Sequence, residues 1–154
     1  MIAHTTLPFS DYPRAKRFYA SALKPLGYAN TMEYGDSGGF NDGKNTDFWI
    51  SQRQQIIPLH LAFEARSSGE VKAFHEAALA AGGRDNGGPG YREYWPGYYA
   101  AFAYDPDGHN IEAVWYDYSK VKLIFFFNQT NKTFFLEIWW TTGTCSTGIE
   151  TCCK

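Results

Sequence analysis

Ala15, Phe18 and Ala22 recur at three- and four-residue spacing, and Val71, Phe74 and Ala78 repeat the pattern further along. Such a stripe predicts an amphipathic helix with one face toward a core. Each stripe follows a helix start, Ser10-Asp11 with Pro13 in the first turn, or the capping box Ser67-x-x-Glu70. A glycine near each end, Gly27 and Gly83, suits a helix C-terminus. Short apolar and β-branched runs, "HTTLPF" and "HLAFEA", precede the helices and predict strands. Near residue 105, "DPDG" is strong turn chemistry. The strand beyond it places Ile111, Ala113 and Trp115 on one face and Asn110, Glu112 and Val114 on the other. Glu112 is therefore a carboxylate in mid-strand. Burial there is costly without a partner, so it faces water or meets a cation.

These elements form an internal repeat. At an offset of 56, residues 4–27 lie without gaps on residues 60–83, with six of 24 positions identical, His4/His60 and Gly27/Gly83 among them. After the helices the copies diverge and then end alike. "GKNTDFWISQ" (43–52) resembles "GHNIEAVWYD" (108–117), with the extra residues of the second copy falling in "RDNGGPGYREYWPG". Strands are expected at "YANTMEY", "GGFND" and "GYYAAFAY", giving βαβββ twice, modules of about residues 1–52 and 57–117. Neither half is large enough for a good core, so the two sheets pack or join about a pseudo-two-fold axis.

Duplication sets equivalent residues opposite each other. His4 and His60 converge in this reading, as do Glu112 and its counterpart Asp47. Two imidazoles and one or two carboxylates make a divalent-metal site of mixed nitrogen and oxygen character. The long glycine-rich, aromatic segment around residue 91 reads as a substrate-contacting cover. In it Arg92 is suited to a carboxylate or phosphonate, Glu93 to a base, and Tyr91, Tyr94 or Trp95 to a ring. Trp49, Tyr98, Tyr99 and Phe102 are candidates for the cavity wall. His75, between Phe74 and Glu76 on the second helix, is expected to be exposed, and His109 is expected at the surface of its turn.

Composition narrows the class. A net charge of −2 gives no reason to expect nucleic acid or an anionic membrane as partner. The opening "MIAHTTLPFSDYPR" lacks a basic region followed by an apolar run, so no secretory signal is expected and a cytoplasmic location is. The sequons at Asn128 and Asn131 then read as chance matches. Cys145, Cys152 and Cys153 all lie in the last ten residues, which argues against a disulfide scaffold or a zinc framework. Beyond Asp117 the character changes. "VKLIFFF" and "FFLEIWW" are too short to span a bilayer, which needs roughly 20 residues. They suit a hairpin, though their density is also an aggregation signature. Residues 118–154 read as an appendage to a domain of residues 1–117. One reading is that they are not native coding sequence, as at a misplaced splice boundary; a peptide containing "TFFLEIWW" in the endogenous protein excludes that.

"MIAH", "SDYPRAKRFYASALKPLGY", "LHLAFEA" and above all "YDPDGHNIEAVW" resemble the vicinal-oxygen-chelate superfamily of glyoxalases, bleomycin-resistance proteins and extradiol dioxygenases. The resemblance covers residues 1 to about 117. It implies an α+β fold of two βαβββ modules forming a half-open mixed β-barrel around a central cleft. It implies metal ligands at His4, His60 and Glu112, with Asp47 where glyoxalase I has a longer acid. The metal, Zn²⁺, Fe²⁺, Mn²⁺ or Ni²⁺, would act as a Lewis acid on a small molecule chelated through vicinal oxygens, in lyase or isomerase chemistry. Glu112 or Glu93 would move a proton. The alternatives are an extradiol-type dioxygenase and a metal-free small-molecule binder of the bleomycin-resistance type. A homodimer is also implied.

Overall fold

The computed structural model describes residues 3–128 and 133–139. The first module runs β1 (Thr5–Phe9), α1 (Tyr12–Ala22), β2 (Ala29–Tyr34), β3 (Ser37–Asn41) and β4 (Thr46–Gln52). The second runs β5 (His60–Glu64), α2 (Ser68–Ala80), β6 (Arg84–Tyr91), β7 (Tyr98–Tyr104) and β8 (Asn110–Tyr116). Each module forms a four-stranded mixed sheet, ordered β1-β4-β3-β2 or β5-β8-β7-β6, whose first and last strands pair in parallel. The fold is α+β, two βαβββ modules whose sheets do not close into a barrel and leave a half-open cleft.

The local signals act largely as read. Asp11 caps α1 by accepting from the Arg14 N–H at 2.9 Å, and Ser67 caps α2 by accepting from the Glu70 N–H at 3.2 Å. The reciprocal arm of the capping box is displaced by one residue, because Glu70 accepts from the Arg66 N–H and from the Arg66 side chain. The equivalent glycines differ in purpose. Gly27 takes a left-handed φ of 87° after a short 3₁₀ turn. Gly83 instead lets strands and helices close up, since a Cβ there would lie 2.8 Å from the Ala78 carbonyl and 3.0 Å from Phe18.

One apolar core runs through both modules. Phe18 and Tyr19 of α1, Phe48 of β4, Phe63 of β5 and Phe74 of α2 are all buried in it, and Phe48 meets Phe63 edge-on at 5.2 Å. The "DPDGH" turn between β7 and β8 fastens the modules together. Asp105, buried, accepts from the Tyr19 hydroxyl at 2.8 Å and, through its other oxygen, from its own turn's N–H groups. Asp107 accepts from the Ser10 hydroxyl and the Arg14 guanidinium. His109 is fully buried, contrary to the expectation of a surface residue. Its Nδ1 accepts from the Leu59 N–H at 3.0 Å, so Nε2 carries the proton and donates to the Pro8 carbonyl at 2.8 Å. His75 is likewise buried, not exposed, and pairs with Asp85 at 2.8 Å.

The first part of the segment expected to be a glycine-rich cover, as far as Tyr91, is β6, an edge strand with two register irregularities around Gly87. Bulges in an edge strand accommodate the extra residues while keeping part of the ladder. After a 3₁₀ turn at Tyr118–Lys120, β9 (Lys122–Asn128) and β10 (Thr133–Trp139) pair antiparallel as a hairpin. Asn131 and the three cysteines lie outside the described residues. Among the described residues no helix is long and apolar enough to cross a membrane.

Candidate functional site

Alternation in the second sheet separates two faces. Ile111, Ala113, Tyr99, Ala101 and Ala103 face the helices in the main core. His60, Glu112, Tyr98, Phe102 and Val114 share the opposite face, where Ala100, Phe102 and Val114 form a second apolar cluster flanked by Tyr98 and Tyr116. Glu112 is only 2% exposed in that setting. Its burial is compensated: Oε1 accepts from the Tyr98 hydroxyl at 2.6 Å, and Oε2 lies 3.1 Å from His60 Nε2. Burial, and then the Glu112 carboxylate, push the Tyr98 phenol far above its ordinary range, so the hydroxyl stays a donor. The far edge of His60 is held too. Asn110 donates to Nδ1 at 2.6 Å, and Asn86 donates to the Asn110 carbonyl oxygen at 2.9 Å. Tyr98, Glu112, His60, Asn110 and Asn86 thus form one connected polar chain across the sheet.

A cavity of about 320 Å³ adjoins this chain, bounded by Asn86, Arg92, Tyr94, Phe102 and Asn110. Arg92 lies over the Phe102 ring at 5.4 Å, its Nη2 donating to the Gly88 carbonyl. The glycines make room for it. A Cβ at Gly90 would approach Arg92 Nη1 to 3.3 Å, and one at Gly87 would meet Phe102 at 3.2 Å. The remaining guanidinium donors are available to an anionic group in the cavity.

The first sheet carries a second, separate group. His4 and Asp47 line a cavity of about 170 Å³ with Thr5, Tyr28 and Ala62, where β1 approaches β5. Asp47 Oδ2 accepts weakly from the Tyr28 hydroxyl at 3.3 Å, while Oδ1 is buried without a partner. The two groups are not replicas. Thr5 sits beside Phe48, whereas its counterpart Leu61 sits beside Ile111, two residues earlier than the repeat predicts. A two-residue slip keeps the acid on the same face but moves it along the strand.

The chain therefore brings His60 to Glu112 and does not bring His4 to them. Among the described residues no three of His, Cys, Asp and Glu gather as an ion would need. Tyr98 belongs to the His60 group and Arg92 to its rim. Tyr91 turns to the helix side, where it donates to Asp117 at 2.7 Å and meets Tyr99 edge-on. Glu93 and Trp95 are exposed on the β6–β7 turn, outside the adjoining cavity. Trp49 packs on the first sheet against Tyr34 and over Gly39, away from Arg92. Asn110 and Asn86 were not expected in the site. The signal for Asn110 was its place on the Glu112 face two residues earlier.

The sequence model of the Glyoxalase/Bleomycin resistance protein/Dioxygenase superfamily matches residues 1–113. Among solved structures, a glyoxalase/bleomycin resistance protein from Albidiferax ferrireducens T118 is similar, with a TM-score of 0.64 and 28% identity over 73% of this chain and 96% of that one. Lactoylglutathione lyase from Agrobacterium tumefaciens (TM-score 0.59, 18% identity, 75% of this chain and 92% of that one) shares the fold. So does the fosfomycin resistance protein FosX from Mesorhizobium loti (TM-score 0.57, 19% identity, 74% and 90%). No curated protein matches the chain.

Proposed function

Since the chain belongs to the Glyoxalase/Bleomycin resistance protein/Dioxygenase superfamily, we propose that it is a small-molecule metalloenzyme of lyase or isomerase type. Its site would be completed between two copies of the chain, His60 and Glu112 of one meeting His4, with Asp47 as a fourth donor, of the other. The observation that carries this reading is the His60–Glu112 pair. Two donors 3.1 Å apart on a half-buried face suit neighbouring positions around an ion with bonds of ~2.1 Å. The unpartnered Asp47 Oδ1 beside His4 fits the same purpose from the first sheet. Because these groups stand on separate sheets, a second copy of the chain is the natural source of the missing ligand.

A divalent ion held there would supply Lewis acidity to adjacent oxygens of a bound substrate. The protein's own residues do the rest. Arg92 holds an anionic group of the substrate against Phe102 in the 320 Å³ cavity. Tyr98, kept protonated, orients the Glu112 carboxylate through Oε1. Glu112 Oε2, when released from the ion, or Glu93 would accept or return a proton. The test is metal analysis of protein purified without chelator, beside His60→Ala. Stoichiometric metal, lost in a variant that keeps its circular dichroism, supports the reading; metal content unchanged by the substitution refutes it.

A second reading, a metal-free binder of small molecules, is favoured by one observation. Both Glu112 oxygens already have protein partners, so its burial needs no cation. That protein would carry no stoichiometric metal and would still bind an anionic aromatic ligand through Arg92 and Phe102.

A further inference from the structure

The hydrogen bonds around His60 run in one direction. Asn86 donates its amide N–H to Asn110 Oδ1, and Asn110 presents its Nδ2 to His60. An amide nitrogen only donates, so His60 Nδ1 accepts, and the single proton of a neutral imidazole sits on Nε2, facing Glu112. In this arrangement His60 is a donor to Glu112 and offers no lone pair on that side. A metal at Nε2 requires the opposite tautomer, with the proton on Nδ1 and a hydrogen-bond acceptor beyond it.

We infer that Asn110 and Asn86 together set the tautomer of His60, and that a concerted half-turn of the two amides converts the pair from a proton-donating to a metal-accepting form. After the turn, Asn86 Oδ1 accepts from Asn110 Nδ2, and Asn110 Oδ1 accepts from His60 Nδ1–H. The two amide bonds re-form with their directions reversed, while the His60 Nε2–H bond to Glu112 is given up, which frees the Nε2 lone pair for a metal. The proton on Nε2 leaves to solvent as one from solvent arrives at Nδ1, so no net charge is created. An amide serves both states because it carries a donor and an acceptor about one rotatable bond; a carboxylate or an alkyl group at residue 110 serves one or neither. Asn86 is exposed on the bulged edge strand and Asn110 is half-buried, so the turn displaces no core side chain. Asn110 is in this sense a positioning residue acting through His60. The metal half of the inference rests on the function proposed above; the tautomer half does not.

The experiment is long-range ¹⁵N–¹H NMR of the full chain with ring-labelled histidine, His60 signals being assigned by their loss in His60→Ala. Zn²⁺ is the added probe. Metal-free wild type should show His60 protonated at Nε2. Asn110→Asp should show it protonated at Nδ1 before any metal is added. Asn86→Asp, at an exposed position, should do the same by turning Asn110, and keeps the test decisive if Asn110→Asp does not fold. With Zn²⁺, wild-type His60 should move to the Nδ1–H form. Zinc affinity should rise about tenfold in Asn110→Asp and fall about tenfold in Asn110→Leu. Wild-type His60 protonated at Nδ1 without metal, or an unchanged tautomer in the folded aspartate variants, overturns the inference. If wild type binds no Zn²⁺ while the aspartate variants still switch the tautomer, the tautomer assignment stands and the metalloenzyme reading fails.

Discussion

Replacing Tyr19 by Phe tests how the two modules are held together. The Tyr19 hydroxyl, on α1 of the first module, is the partner of Asp105 Oδ2 in the second, at 2.8 Å; the other carboxylate oxygen is occupied by the N–H groups of Asp107 and His109. Both residues are buried, at 0% and 5% exposure. Tyr19→Phe keeps the ring and its edge contacts with Phe9 and Phe18, so it opens no cavity. What is lost is one hydrogen bond to a charged, buried acceptor, a loss of about 1.5–3 kcal/mol. For a domain of this size that corresponds to a fall in Tm of roughly 6–12 °C. The pH dependence has a definite sign. Burial raises the Asp105 carboxyl above its ordinary 3.8, against the Tyr19 hydroxyl and turn N–H groups, which hold it down. Without the hydroxyl it rises further. A raised carboxyl adds stability that is fully present below the unfolded value and is lost as pH rises through the folded one. The deficit of Tyr19→Phe should therefore be largest near neutral pH and shrink in acid. Urea unfolding of both proteins at pH 7 and near pH 4 measures it. A deficit under about 0.5 kcal/mol at pH 7, or one that grows on acidification, refutes the claim that this bond clamps the modules.

Three further outcomes follow from local geometry. Gly97→Ala would drive a Cβ into the Asp117 carbonyl at a φ of +79°, so it should cost more than about 3 kcal/mol in chemical denaturation, far more than Gly43→Ala, whose surroundings are open. Arg92→Met keeps the contact with Phe102 but removes the anion-binding fork; calorimetry with carboxylate- or phosphonate-bearing ligands should show affinity down roughly tenfold or more, and neutral ligands unaffected. The Gly87 N–H, and then His75, hold the Asp85 carboxyl below its ordinary range, a contribution present above the unfolded value and lost as pH falls through the folded one; His75→Leu should lose stability at pH 7 and show a smaller drop between pH 7 and pH 3.

The repeat carried most of the fold. Spacing of Ala15, Phe18 and Ala22, the caps at Asp11 and Ser67, and the alternation around Glu112 are local signals, and the chain obeys them. His75 was misread as exposed although the signal was present: it stands four residues after Val71 on the same helical stripe, and a polar side chain there needs a buried partner. His109 was not. Its partners, Pro8 and Leu59, lie 101 and 50 residues away, and nothing beside it in sequence distinguishes a buried turn histidine from an exposed one. The site was legible to the level of the face but not the register. Sequence offset equates Asp47 with Glu112, while the strand pairing slips by two residues, a change that preserves the alternation and leaves no mark in it. The face that Tyr91 meets was not legible for a related reason: the bulges around Gly87 decide it.

Shared ligation between copies is tested most directly by mixing two defective chains. His4→Ala and His60→Ala should each bind no stoichiometric metal alone. Refolded together in equal amounts, half the dimers pair one of each, and one of the two sites in such a dimer has both histidines. The account predicts recovery of about a quarter of the wild-type metal content. No recovery in a mixture that demonstrably forms mixed dimers, beside a wild type that binds metal, would mean that the ligands come from a single chain and would contradict it.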